Sequence, residues 1–276
     1  MTVLSPTITL NNGVEMPQLG LGVWQVADDV AQSIVEHALS EGYRAIDTAK
    51  IYDNESGVGR ALASTGVARS DIFVTTKLWN SDQGRATTVD AFDASLDRLG
   101  VDYVDLYLIH WPRPKARLFV ETWEVCEEIY ASGRARAIGV SNFEPEHLEQ
   151  LVHAGLTVPA VNQIECHPRL QQKVNREYHR AHGIVTTAWS PLGQGTVLED
   201  SVLTSIANSH AKSVAQVIIR WHIQLGNTVI PKSVTPARVT ENFAVFDFEL
   251  SDSEMAQIAD LDSDGRMGPH PNLADF

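Results

Sequence analysis

Short apolar runs recur eight times along this chain, about one every thirty residues, and a helix-like stretch follows each of them. The runs are LGLGVW from Leu19, RAIDTA from Arg44, IFVTTKLW from Ile72 and VDLYLIHW from Val104. AIGVSNF from Ala137, AVNQIEC from Ala160, IVTTAWSPL from Ile184 and NTVIPKS from Asn227 complete the series. None alternates cleanly between apolar and polar residues, as expected of parallel strands covered on both faces. The intervening stretches are amphipathic. One begins at Asp28, sets Val30, Ile34, Val35, Ala38 and Leu39 on one face and stops at Gly42. Another runs from Glu144 to Ala154 and stops at Gly155, and Ser251 with Glu254 has capping-box spacing ahead of Met255, Ile258 and Leu261.

This period predicts an α/β chain folded as a single (β/α)8 TIM barrel, one domain over residues 1–276. The rival doubly wound sheet wants G-x-G-x-x-G after an early strand, and Gln25 stands where the third glycine after Gly20 and Gly22 would fall. Residues 1–18 read as a β-hairpin segment across the barrel bottom, with Asn12-Gly13 suited to a type I′ turn. Residues 263–276 are expected to form a tail near the active-site rim.

No apolar run approaches the ~20 residues of a membrane span. The start, MTVLSPTITLNNG, lacks the basic and apolar regions of a signal peptide. Two cysteines, Cys126 and Cys166, make neither a disulfide scaffold nor zinc-ligand spacing, so no metal is expected and a reducing cytoplasm is the expected location. With 35 acidic residues against 21 basic, the net charge of −14 argues against nucleic acid or an anionic membrane as partner. It leaves room for a small anionic ligand held by a local basic cluster.

A barrel of this kind builds its site at the C-terminal strand ends. Those positions are Trp24, Asp47, Lys77, Trp79, His110, Trp111, Ser141, Asn142, Gln163, Trp189 and Lys232. Four of the six tryptophans fall there, whereas Trp123 and Trp221 lie within helical stretches. Taken singly, each ring is as well explained as core. Together they make a pocket wall beside titratable groups. Asp47, Lys77 and His110 end three successive strands, with Tyr52 in the loop after Asp47. Individually they are ordinary ion-pair or histidine positions; as a set they propose proton donation to a carbonyl. A tyrosine with a free pKa of ~10 needs help to work near neutrality. Lys77 would stabilise the phenolate, Asp47 would keep Lys77 charged, and His110 would orient the carbonyl. The hydride must then come from a cofactor. Lys232, Ser233 and Arg238 lie where strand eight meets a helix, with Thr235 as N-cap and Pro236 at the first helical position. That is either a phosphate site or a well-capped helix with two solvated cations.

GYRAIDTAKIYDNESGVG (Gly42 to Gly59), AIGVSNF (Ala137 to Phe143) and IPKSVTPARVTEN (Ile230 to Asn242) resemble the three signatures of the aldo-keto reductases, in order. DLYLIHWP, from Asp105 to Pro112, is similar to the segment carrying the family's histidine, and the overall pattern is most similar to the bacterial 2,5-diketo-D-gluconic acid reductase-like enzymes. The resemblance implies a monomeric, NADPH-dependent oxidoreductase that reduces small aldehydes, ketones or dicarbonyls. Diketogluconate-type keto sugars and methylglyoxal-like compounds are the substrate types it implies. It makes Tyr52 the proton donor, tuned by Asp47 and Lys77, with His110 orienting the substrate. It puts Ser141, Asn142 and Gln163 at the nicotinamide carboxamide and stacks Trp189 on the ring. Ser190, Pro191, Leu192, Gly193, Gln194 and Gly195 would follow the pyrophosphate. Ile230, Lys232, Ser233, Val234 and Arg238 would hold the 2′-phosphate end, with Glu241 and Asn242 near the adenine. Trp24, Ile51, Trp79, His110 and Trp111 would face the substrate.

Some positions depart from that pattern: Thr235 stands where some diketogluconate reductases carry arginine, and Trp24 where a smaller aromatic is usual. The loop from Arg113 to Phe119 and the tail after Asp264 are short, so a shallow site is expected. Arg113, Lys115 and Arg117 would either attract acidic substrates or form a solvated basic turn. Two other functions fit the same residues. Lys77 could be a Schiff-base lysine of a barrel aldolase, though pairing with Asp47 works against it. Alternatively the chain could be a non-catalytic, cofactor-binding subunit, which the intact tetrad disfavours.

Overall fold

The computed structural model describes residues 4–276, so the first three residues of the expected hairpin segment lie outside it. Strands β1 (Thr7–Thr9) and β2 (Glu15–Pro17) pair antiparallel with Ile8 opposite Met16. The turn differs from the type I′ expectation. Gly13 N donates to Leu10 O and Leu10 N to Val14 O, both at 2.9 Å, and Gly13 alone is left-handed at φ 85° while Asn11 and Asn12 are not. The loop is therefore one residue longer than a two-residue hairpin, and glycine closes it. The freed asparagine side chains dock the hairpin: Asn11 Nδ2 donates to Val158 O and Pro159 O, and Asn12 Nδ2 to Arg136 O.

Eight parallel strands follow: β3 (Leu21–Gly22), β4 (Ala45–Asp47), β5 (Phe73–Leu78), β6 (Val104–Ile109), β7 (Ala135–Ser141), β8 (Val161–Glu165), β9 (Val185–Trp189) and β10 (Thr228–Val229). Each pairs with its sequence neighbours. Parallel bridges Leu19–Val229 and Gly22–Lys232 close the circle, with Gly20 N donating to Val229 O at 2.9 Å. At this seam a Cβ on Gly22 would lie 2.8 Å from Ile230 O, so a glycine there lets the end strands meet.

The helices are α1 (Asp28–Glu41), α2 (Glu55–Ser64), α3 (Thr88–Leu99), α4 (Phe119–Ala131), α5 (Pro145–His153), α6 (Lys173–His182), α7 (Ser201–Ser209), α8 (Val214–Gln224), α9 (Pro236–Phe243) and α10 (Asp252–Ala259). Gly42 ends α1 in the left-handed region at φ 114°, as the sequence predicts. Val30 departs from its expected face: Ala31, Ile34, Val35, Ala38 and Leu39 are buried, whereas Val30 is exposed. The Ser251–Glu254 capping box forms, and Glu144 caps α5 rather than starting it. No helix among the described residues is long and apolar enough to cross a membrane.

The core has two compartments. Outward strand side chains such as Ile46, Val74, Tyr107, Ile109 and Val140 pack under the helices. Inside the barrel bottom, Ala45, Phe73, Leu106, Leu108, Ala137, Val161 and Val185 enclose Leu10 and Met16 of the hairpin segment, which therefore plugs the barrel. Alternate residues of a strand share a face. Following each inward series towards the C-terminal end leads from these apolar residues to Asp47, Lys77, His110, Ser141, Gln163 and Trp189. The apolar floor and the polar rim are successive layers of one interior.

Candidate active site

Asp47, Lys77 and His110 project from the ends of β4, β5 and β6, and Tyr52 closes a 3-10 turn, Lys50–Tyr52, after β4. Lys77 is fully buried. Its Nζ donates to Asp47 Oδ1 at 2.5 Å, to Thr48 O at 2.9 Å and to the Tyr52 hydroxyl at 3.4 Å. Gln163 Nε2 donates to the other carboxylate oxygen of Asp47 at 2.7 Å. His110 sits edge-on to both Tyr52 and Trp79, with ring centroids 5.8 and 5.2 Å away.

The Tyr52 turn is fixed from several sides. Asp53 takes a left-handed conformation at φ 53°, which turns the chain back into α2. Asn54, fully buried, donates to Val23 O and Val26 O and accepts from Thr48 Oγ1, so it ties this loop to the one carrying Trp24. Lys50 pairs with Asp82 of the neighbouring loop. The proton-bearing residue thus stands on a braced turn.

Burial dominates the electrostatics. It pushes the Tyr52 phenol up, Lys77 pulls it back only in part, and Asp47 raises it further, so the net direction is upward. This corrects the expectation that Lys77 lowers it outright: the phenol holds its proton at neutral pH. Burial opposes charge on Lys77, yet Asp47 and Tyr52 outweigh it and the amine stays an ammonium. An ammonium is no nucleophile, which counts against a Schiff base. Burial, with Lys77 nearby, drives His110 well below the usual histidine range, so its ring is neutral.

These groups open into a cavity of about 590 Å³ whose wall includes Trp24, Ile51, Trp79, Trp111, Ser141, Asn142, Gln163 and Trp189. One hydrogen-bonded wall joins five of the expected residues. Ser141 Oγ donates to Gln163 O, Asn142 Nδ2 to His110 O, and Trp189 Nε1 to Asn142 Oδ1, at 2.8, 3.0 and 2.8 Å. Trp24 and Ile51 stand half-exposed at the lip. Ser190, Gln194 and Ile230 reach the same cavity. Pro191, Leu192, Gly193 and Gly195 form the loop beyond it, where Gly193, Gln194 and Gly195 are left-handed in succession at φ 52°, 48° and 92°. Farther out, Lys232, Val234, Arg238 and Glu241 are exposed, and Ser233 and Asn242 are buried at α9. Thr235 occupies the N-cap position without a side-chain cap bond; Ser233 Oγ accepts from Thr235 N instead, at 3.0 Å. Lys232 and Arg238 form no ion pair among the described residues, so both charges are available to a ligand.

Two things escape a reading of strand ends. Met267, Gly268, Pro269 and Phe276 of the tail complete the cavity, and so does Gln25. Phe276 stacks on Trp79 and meets Trp111 edge-on, while Asn80 Nδ2 donates to its carbonyl at 2.8 Å. Arg113 and Lys115 face Asp275, each at 3.8 Å, and neither lines the cavity. One carboxylate of the chain thus offsets part of the turn's positive charge. A tail without periodicity gives no sequence signal for such contacts.

A model of the Aldo/keto reductase family matches residues 16–263. The chain is 57% identical over 273 residues to an aldo-keto reductase of Mycolicibacterium smegmatis, covering 99% of both chains. It is 52% identical over 272 residues to the glyoxal reductase of Bacillus subtilis, covering 98% of both. A crystal structure of a Gox0644 mutant in complex with NADPH superposes with a TM-score of 0.96 at 48% identity, covering 99% of this chain and 100% of that one.

Proposed function

The chain belongs to the aldo/keto reductase family, and we propose that it uses NADPH to reduce small uncharged aldehydes and ketones, α-oxoaldehydes foremost. The observation that carries this reading is the buried chain Gln163–Asp47–Lys77–Tyr52, which delivers a protonated phenol to an aromatic-lined cavity. The substrate class rests on that lining: it contains no lysine or arginine, and a glyoxal reductase is among the chain's relatives. A 2,5-diketogluconate-type sugar acid would bring its carboxylate against a wall with no counter-charge, at a cost that a neutral carbonyl avoids.

NADPH fits the residues present. Lys232 and Arg238, without an ion pair among the described residues, lie beside the N-terminus of α9 and suit a 2′-phosphate, and the left-handed loop Gly193–Gly195 presents little side-chain bulk. Ser141, Asn142 and Gln163 would hold the carboxamide, and Trp189 would stack on the nicotinamide, which when bound supplies the hydride. The chain's own part is proton transfer and orientation. Neutral His110 holds the carbonyl oxygen by a hydrogen bond. Tyr52 releases its proton to that oxygen as negative charge develops there. Lys77 stabilises the phenolate left behind, Asp47 fixes Lys77, and Tyr52 regains its proton from solvent.

The test follows NADPH oxidation with glyoxal, methylglyoxal, 2,5-diketogluconate and a matched aldehyde pair, 4-formylbenzoate and its methyl ester. The ester is expected to exceed the free acid in kcat/KM by about 100-fold, an effect of two to three kilocalories on the ~1.4 kcal/mol per tenfold scale. Equal use of acid and ester would overturn the substrate class. No oxidation with any carbonyl would overturn reduction itself.

A further inference from the structure

Among the buried ionisable groups that the reduction does not use, Glu165 lies nearest the site. Glu165 ends β8 on the same inward series as Gln163 and is 1% exposed. Its oxygens accept Met267 N at 2.8 Å, Gly268 N at 2.9 Å and His167 Nε2 at 3.2 Å. No lysine or arginine pairs with it among the described residues. A carboxylate in such a place costs several kcal/mol to desolvate and persists only where its hydrogen bonds are complete. Two of the donors that complete them belong to the tail, about a hundred residues away in sequence.

Gly268, so held, lies against the outer edge of the Trp189 indole. A Cβ on it would stand 2.6 Å from Trp189 Cη2 and 3.1 Å from Glu165 Oε2. The φ of Gly268 is not left-handed, so it is the neighbouring ring and carboxylate, rather than backbone conformation, that require glycine here. The opposite side of the indole is fixed by Nε1, which donates to Asn142 Oδ1 at 2.8 Å. Trp189 is therefore clamped between the end of β7 and a tail segment that Glu165 ties down.

We propose that Glu165 and Gly268 are positioning residues: Glu165 tethers the tail, and through Gly268 the tethered tail sets the plane of the Trp189 ring that receives the nicotinamide. This rests on the stacking of Trp189 on the cofactor proposed above. The tail is thus part of the cofactor site as well as of the substrate wall.

Calorimetric titration with NADPH of the wild type, Gly268→Ala, Trp189→Phe, their double variant and Trp189→Ala tests this. Gly268→Ala is expected to raise the Kd about tenfold in the wild type and less than about twofold in the Trp189→Phe background, since the severest clash, at 2.6 Å, is with an indole atom that phenylalanine lacks. The same factor in both backgrounds, or no change in the wild type, would overturn the inference alone. Trp189→Ala, which removes the aromatic face altogether, binding NADPH as tightly as wild type would overturn the stacking reading and this inference with it. Independently of cofactor, Glu165→Gln keeps the volume but loses one acceptor. Amide exchange at Met267 and Gly268 is expected to quicken about tenfold or more in that variant. Unchanged exchange there would mean that Glu165 does not tether the tail.

Discussion

Gln163 and Lys77 divide the two oxygens of Asp47 between them, Gln163 taking Oδ2 at 2.7 Å and Lys77 taking Oδ1 at 2.5 Å. The carboxylate is thereby held at both ends, and the ammonium it compensates is fully buried. Asp47→Asn keeps the shape and removes the charge. Leaving Lys77 unpaired in the interior is expected to lower stability by about 3 kcal/mol at pH 7. In the wild type the Lys77 pKa lies above its unfolded value of 10.5, so its contribution is complete below that pH and is lost only as pH rises beyond it. In the variant, burial without a partner depresses the folded value, so stability rises with pH instead. Urea denaturation at pH 7 and pH 9 should show the variant's deficit shrinking. A constant deficit would mean that Lys77 finds another counter-charge.

Tyr52 is held protonated by burial, which outweighs the pull of Lys77. Reduction is therefore expected to run at constant kcat/KM between about pH 6 and 9 and to fall only as the phenol ionises above its free value of ~10. Tyr52→Phe is expected to lower kcat by about a thousandfold or more while the Kd for NADPH moves less than twofold. Turnover within about tenfold of wild type would remove Tyr52 as the acid.

Arg238 is exposed at α9 and makes no ion pair among the described residues, so its removal should leave the fold intact. Arg238→Ala is expected to raise the KM for NADPH about 30-fold, roughly 2 kcal/mol for a charge-assisted bond, with the KM for NADH within twofold. Equal effects on both cofactors would place the 2′-phosphate elsewhere.

The barrel was legible because eight runs covered on both faces leave a period in the sequence, and because strand ends of such barrels face one site. Asp47, Tyr52, Lys77 and His110 converge from positions that could be counted off in advance. The inward alternation was hidden, since Val74 and Phe73 are equally apolar although one faces the helices and the other the barrel. Val30 shows the same limit in a helix, where one turn of drift moves a residue off the buried face. The tail was expected near the rim, where it lies, but its individual contacts were illegible for a different reason. Its contacts are single, long-range and without period: Phe276 against Trp79, Asp275 near Arg113, Gly268 on Glu165. The charge on Arg113 and Lys115 therefore read as a possible substrate attractant, whereas in three dimensions it faces the chain's own aspartate.

His179 lies between the barrel and α6, fully buried, with Nε2 facing Asn162 Nδ2 and Nδ1 facing Thr186 Oγ1, both at 2.9 Å. The Asn162 amide donates to Nε2, so the ring is a neutral imidazole whose proton sits on Nδ1 and is given to Thr186. Burial, helped by the charges of His182 and Arg176, pushes its pKa down to about 3. The unfolded chain, with an ordinary value of ~6.5, binds this proton first as pH falls, so stability drops through the window from about 6.5 towards 3. At pH 5 the loss from this one group is about 2 kcal/mol. His179→Gln offers an acceptor to Asn162 and a donor to Thr186 without a titrating ring. Urea denaturation at pH 7 and pH 5 is expected to show the variant losing about 2 kcal/mol less than wild type across that interval. Equal losses would put the folded His179 back at an ordinary pKa and remove the buried neutral ring as a source of acid lability.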